Sequence, residues 1–155
     1  MKKFLIISLM ILGLQQSYAQ LNTWSFESID SLQKVEERDV MVFLHAPWCR
    51  YCKVMERSVL ANKQVQGALN NNFWFVSFNG ESEESIQFMG QSFHFRPTGK
   101  GTGIHQLAEA IGTVDGKVSF PTVVILSADG EIRFQHNAML NKKQMLVLSS
   151  QLTER

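Results

Sequence analysis

The sequence predicts an α/β domain with a mixed central β-sheet flanked by helices on both faces. Segments of strand character alternate with segments of helical period from Asn22 onward, which is the pattern of a layered sheet with crossover helices. The last two strand segments are joined by a tight turn and so pair antiparallel, which makes the sheet mixed. The 155 residues, 45% of them hydrophobic, are enough for one domain with a real core and too few for two comfortable ones.

Taken in order, Thr23 or Ser25 can cap a first helix in which Phe26, Ile29, Leu32 and Val35 recur on one face. Val40 to His45 is a short apolar run, as in a strand buried on both sides, and Ala46-Pro47-Trp48 ends it. A second helix is expected to start near Cys49, run through Val54, Met55, Val59 and Leu60 with a bend around Ser58 to Lys63, and stop at Asn70-Asn71-Asn72. Phe73 to Asn79 alternates large apolar residues with Ser and reads as a strand. An acidic, capped segment from Ser82 predicts another helix. Ser92 to Gly103 contains Pro97, Gly99, Gly101 and Gly103 and reads as a loop leading into a short helix over Ile104 to Ile111. Thr122 to Leu126 is a β-branched core strand, and Ser127-Ala128-Asp129-Gly130 turns the chain back into Ile132 to Gln135. Asn141 can cap a last helix with Met145, Leu148 and Leu152 on one side.

Residues 1–19 differ in character from the rest of the chain. Lys2 and Lys3 precede an apolar run from Phe4 to Leu14, and Ser17-Tyr18-Ala19 is a small-x-small site, the pattern of a signal peptide cleaved after Ala19. The run is shorter than the roughly 20 residues a membrane span needs. The expectation is therefore a domain over 20–155 in a periplasmic or secreted protein. A formal charge of +1 with acids and bases mixed along the chain gives no basic stripe, so no nucleic-acid partner is expected.

Export gives meaning to the two cysteines, Cys49 and Cys52. An oxidising compartment pairs idle thiols, yet this pair would close only a very small ring of little stabilising value, so reactivity is the better explanation. A disulfide between them is feasible where they open a helix, since the first turn brings both side chains to one side. Cys49 would then feel the positive end of the helix, which can lower a thiol pKa from about 8.5 into a range of about 3.5 to 7.5. It is the expected nucleophile, accessible to partners, and Cys52, one turn inside, the sheltered resolving thiol. Two other readings exist. A zinc or copper site would draw on His45, His94, His105 and His136, none of which makes a second close pair at finger-like spacing, and haem attachment would want His where Lys53 stands.

Trp48-Cys49-Arg50-Tyr51-Cys52-Lys53 resembles the active-site motif of the thioredoxin superfamily. Phe120-Pro121-Thr122, just ahead of a β-branched strand, is similar to that family's cis-proline loop, and Asp129-Gly130 with Ala138 to Gln144 resembles its closing hairpin and helix. The likeness runs from Trp24 to Leu152, with a longer stretch than usual between Gly80 and Val118. It implies a thioredoxin fold and a thiol–disulfide oxidoreductase that acts on cysteine-containing proteins through a mixed disulfide at Cys49. The implied redox group is the Cys49–Cys52 disulfide, with no further cofactor and no metal. It also implies that Pro121 is cis and lies against the dithiol, that the Phe120 backbone pairs with an extended substrate segment, and that Trp48 shields the dithiol and contacts partners.

The sequence departs from the family at Phe43, where thioredoxins commonly carry a buried acid that serves the resolving thiol. Glu56, four residues after Cys52 on the same helical face, is the candidate replacement. The spacing Cys-x-x-Cys-Lys-x-x-Glu resembles the periplasmic thioredoxin-like domains of transmembrane thiol reductases. Arg50-Tyr51 matches neither the Gly-Pro of reducing thioredoxins nor the Pro-His of strong oxidants, so Lys53 and Glu56 tilt the reading towards a reductase or relay fed by a membrane thiol reductant. The alternatives are a non-catalytic binding or chaperone module using the groove beside Pro121, and a metal carrier. His45 on the incoming strand is a possible modulator, and Phe93-His94-Phe95-Arg96 either a partner surface or core packing.

Overall fold

The computed structural model describes residues 20–151. In chain order it contains α1 (Phe26–Gln33), β1 (Asp39–His45), α2 (Arg50–Met55), α3 (Lys63–Asn72), β2 (Phe73–Asn79), β3 (Ile86–Phe88), β4 (Gln91–Phe93), β5 (Phe95–Gly99), β6 (Thr102–His105), α4 (Gln106–Gly112), β7 (Thr113–Val114), β8 (Lys117–Val118), β9 (Thr122–Leu126), β10 (Ile132–His136) and α5 (Lys142–Gln151). The central sheet has the order β10-β9-β1-β2. β1 pairs in parallel with β2 and antiparallel with β9, and β9 pairs antiparallel with β10. The parallel pair needs a crossover, which α2 and α3 supply.

β1 sits inside the sheet because Val40 to Leu44 are all apolar and all buried. Alternation sends Met41 and Phe43 to one face, where Phe75, Val123 and Ile125 meet Met55, Val65, Leu69, Met145 and Leu148 from the helices after the cysteines and at the end of the chain. Val40, Val42 and Leu44 go to the other face and pack with Phe26, Ile29, Leu107, Ala108 and Ile111 of α1 and α4. This is the mixed sheet with helices on both faces that the sequence predicts. Asn62 caps α3 by accepting from the Gln64 and Val65 N–H groups. Asn141 and Gln144 cap each other's backbone N–H at the start of α5.

Several local expectations are corrected. The segment from Ser82 is not a helix: Ile86 and Phe88 alternate with Gln87, and their burial against α1, with the Phe26 and Phe88 rings 4.9 Å apart, selects a strand. Met89 and Gly90, both at positive φ, turn it into β4. The stretch expected as a loop holds β4 and the β5–β6 hairpin, in which Pro97 faces Gly103. A Cβ on Gly103 would strike the Phe95 ring, so the glycine is what lets that ring lie across the hairpin. Helix α4 begins at Gln106, not Ile104, because the His105 ring caps it. The helix expected from Cys49 to Asn72 is broken: a wide π turn over Glu56–Leu60 follows α2, and Asn62 starts α3 afresh. Val35 lies beyond the end of α1 and is exposed, as is Val54, so neither joins the core. Leu152 and the signal peptide expected over 1–19 lie outside the described residues, among which no helix is long and apolar enough to cross a membrane.

His105 is fully buried, with its ring edge-on to Phe78. Its Nδ1 accepts the Leu107 N–H, and its Nε2 lies 3.0 Å from the Glu84 carbonyl, so only the neutral ring protonated on Nε2 satisfies both. Burial holds its pKa below the usual histidine value; the Glu84 carbonyl offsets this in part, and nearby His94 adds to it. A folded-state pKa below the unfolded one means full stability above about pH 6.5 and loss as pH falls further. Half-buried His45, also lowered by burial, acts in the same direction. Denaturant unfolding should therefore show stability declining from about pH 7 to about pH 5, and His105→Asn, which can cap without titrating, should flatten part of that slope. An unchanged slope in the variant would remove His105 as a cause.

Candidate active site

The strand-to-helix junction builds the site. β1 ends at His45, the chain turns through Ala46-Pro47-Trp48, and the Cys49 N–H donates to the Ala46 carbonyl at 3.0 Å. Cys49 is the N-cap of α2, with extended backbone, and its Sγ accepts the Cys52 N–H at 3.1 Å. The two cysteines form a disulfide with Cα atoms 5.3 Å apart. The Cys49 sulfur thus stands where an otherwise unpaired helix donor and the positive end of the helix favour a thiolate.

Exposure differs from the expectation of an accessible Cys49: the residue is 3% exposed, against 1% for Cys52. Both pack in the core cluster with Ala46, Phe43, Met55 and Val123. The oxidised pair is sheltered as a unit, because apolar side chains from three elements close around the ring. The two sulfurs are distinguished by hydrogen bonding and helix position more than by access. Trp48 and Tyr51, beside the cysteines in sequence, are 64% and 66% exposed.

The second wall comes from the loop before β9. The Phe120–Pro121 peptide is cis. Thr122, the next residue, is the Cα partner of Leu44, so the loop lies beside the end of β1 from which the cysteine turn departs. The Phe120 ring packs against the cluster holding both cysteines and meets the Trp48 ring edge-on, centroids 6.0 Å apart. It also occupies the space beside Gly80, where a Cβ would come within 2.6 Å of it.

Glu56 is exposed at the first residue of the π turn, and its charge acts on His45. Burial lowers the His45 pKa, and Glu56 partly reverses that effect. His45 stacks on Phe43, the residue in the place of the family's buried acid. A histidine at the end of β1 and a carboxylate at the π turn thus act on each other electrostatically. Among the described residues no group of three or more His, Cys, Asp or Glu could hold a metal ion. His94 bonds to Ser85, His105 caps α4 and His136 lies on β10.

Glu81 was not singled out by its sequence context. Both of its carboxylate oxygens lie 3.0 Å from the Trp48 Nε1, which donates to them, and its own N–H donates to the Asn79 side chain. No local pattern signals a contact between residues so far apart in the chain. The length of the Gly80 to Val118 stretch is the one hint in the sequence that something there reaches the site.

No curated protein sequence is similar enough to be matched to the chain. Among solved structures, a DsbH oxidoreductase is similar with a TM-score of 0.61 and 16% identity, over 92% of this chain and 94% of that one. A thioredoxin from Thermus thermophilus has a TM-score of 0.60 and 23% identity, covering 86% and 88%. The reduced C-terminal domain of DsbD from Neisseria meningitidis has a TM-score of 0.53 and 16% identity, covering 81% and 90%. At these identities the likeness shows the fold. The model of the thioredoxin-like domain matches residues 26–152, which is most of the chain and includes both cysteines and the cis-proline loop, and the protein therefore belongs to the thioredoxin-like family.

Proposed function

We propose that this thiol–disulfide oxidoreductase acts as a reductase or relay in the periplasm or outside the cell, after removal of a signal peptide over 1–19 leaves the domain 20–155. The observation that supports it most is the Cys49 sulfur at the N-cap of α2, accepting the Cys52 N–H and bonded to the Cys52 sulfur. In the reduced protein the Cys49 thiolate attacks one sulfur of a substrate disulfide. A Cys49–substrate bond forms, and the substrate's other sulfur leaves as a thiolate that takes up a proton. Cys52 then gives up its proton and attacks Cys49, releasing the second substrate thiol and forming the Cys49–Cys52 disulfide. Two electrons pass to the substrate, and a dithiol donor, in this reading a membrane thiol reductant, returns them.

Trp48, Phe120 and Pro121 form the substrate-binding edge in this reading. Pro121 offers no N–H, so the Phe120 backbone is left to pair with an extended segment of the substrate. Glu56 receives the Cys52 proton, directly or through His45. Support for that role is the electrostatic effect of Glu56 on His45 and the presence of Phe43 where an acid would otherwise serve. The direction of transfer is supported by the Cys52-Lys53-x-x-Glu56 resemblance to reductase domains.

The Cys52→Ser variant should accumulate mixed disulfides with cysteine-containing proteins on Cys49, identified by mass spectrometry, whereas Cys49→Ser should trap none. Equal trapping by both variants would remove the distinction between attacking and resolving cysteine, and trapping by Cys49→Ser alone would reverse it. Glu56→Gln should slow resolution of the mixed disulfide near neutral pH by about tenfold to a hundredfold, with a displaced pH–rate profile, as expected for a lost proton acceptor. Single-turnover rates equal to those of the unmodified protein across that range would remove Glu56 from the mechanism.

A further inference from the structure

The β5–β6 hairpin lies in the stretch that is longer than usual for the family, and the exchange chemistry leaves it without a role. Its Phe95 and Pro97, together with Trp48, Glu81 and Glu83, line a hollow of about 420 Å³. Gly99, Gly101 and Gly103 line it too and bring no side chains to fill it. Trp48 is largely exposed yet anchored, since its indole N–H is held by Glu81. The walls are thus aromatic, and both charged groups in the lining are carboxylates.

No lysine or arginine is among the residues that line this hollow. Arg96 is engaged by Glu109, and both line an adjoining hollow of about 490 Å³ on the side of Phe120, which shares Trp48 and Glu81 with the first. Lys100 stands at the turn of the hairpin and is not part of the lining. Each Glu81 oxygen that accepts from the Trp48 N–H keeps a further lone pair for another donor.

We propose that this hollow receives a lysine or arginine of the substrate protein next to the cysteine under attack, so that the hairpin sets a preference for basic flanking sequence. The proposal rests on the exchange reading above. A long basic side chain fits both chemistries: its methylene stem lies along Trp48 and Phe95, and its cationic head reaches Glu81 and Glu83. The link to exchange is Trp48 itself. It directly precedes Cys49 and contacts Phe120, so a side chain seated against it leaves its backbone beside the reacting sulfur.

Single-turnover reduction by the pre-reduced full-length protein tests this with two disulfide-linked peptides, identical except for Lys or Glu beside the cysteine. A small uncharged disulfide, bis(2-hydroxyethyl) disulfide, reports exchange alone. The Lys peptide should react about tenfold faster than the Glu peptide at low salt, and the gap should narrow at high salt. Glu83→Gln should shrink the gap, and Glu81→Gln with Glu83→Gln should shrink it further, while the uncharged disulfide still reacts. Equal rates for the two peptides with normal turnover of the uncharged disulfide overturn the basic preference and leave exchange intact. A preference undiminished in the double variant also overturns it, since the hollow would not be the source. Failure to reduce any of the three disulfides defeats the exchange reading and this proposal with it.

Discussion

The Cys49 sulfur accepts a hydrogen bond from the Cys52 N–H, and the placement of the dithiol at the start of α2 depends on that cap. A helix start leaves N–H groups without intrahelical partners, and here a sulfur fills the place usually taken by an Asp, Ser or Asn oxygen. The sulfur can do so because the turn after β1, closed by the Cys49 N–H to the Ala46 carbonyl, delivers Cys49 with extended backbone at the point where α2 begins. The same hydrogen bond that satisfies the helix therefore stabilises negative charge on the attacking atom. With Cys49 as the proposed nucleophile, helix formation and nucleophile activation are one interaction.

That cap is held in place by burial on the strand side. Val40 to Leu44 are inaccessible, and β9 is fixed to β1 in a register that puts Thr122 opposite Leu44. The cis-proline loop is consequently delivered to the cysteines by sheet pairing, with the Phe120 ring packed against the cluster that holds Leu107, Ala108 and Ile111 of α4. Phe43 shows what this arrangement trades. An apolar ring there completes the packing around Met55 and Val123, and ionisable groups appear instead at the rim, in His45 and Glu56. In the proposed mechanism, proton handling is correspondingly placed nearer to solvent than a buried acid would be.

The parts legible in the sequence are those where one residue type has one physical use. The apolar run of β1, the β-branched β9 and the Asn141 cap are readable because period and capping chemistry determine them locally. So is the cysteine pair at a helix start. The stretch after Gly80 is not. Its acidic, cap-like beginning has helical character, but Ile86 and Phe88 are drawn into strands by burial against Phe26, a tertiary effect that no local window contains. Its glycines read as a loop, whereas Gly103 is there to admit the Phe95 ring. The burial of Cys49 is unreadable for the same reason, since the side chains that close over it come from elsewhere in the chain.

Gly80 joins the inserted hairpins to the site. Its N–H donates to the His45 carbonyl at 2.9 Å and its carbonyl accepts from the His105 N–H at 2.8 Å, so its backbone bridges the end of β1 to the end of β6. Without a side chain it also leaves room for the Phe120 ring, which a Cβ would strike. The next residue is Glu81, whose carboxylate holds Trp48. The hairpin wall is thus joined to the end of β1 through a residue with both backbone polar groups engaged and no Cβ. A wall tied to the site in this way depends on two adjacent residues, a glycine whose missing Cβ admits Phe120 and a glutamate whose carboxylate holds Trp48, so changes in the hairpins beyond them leave the tie to the junction of β1 and α2 in place.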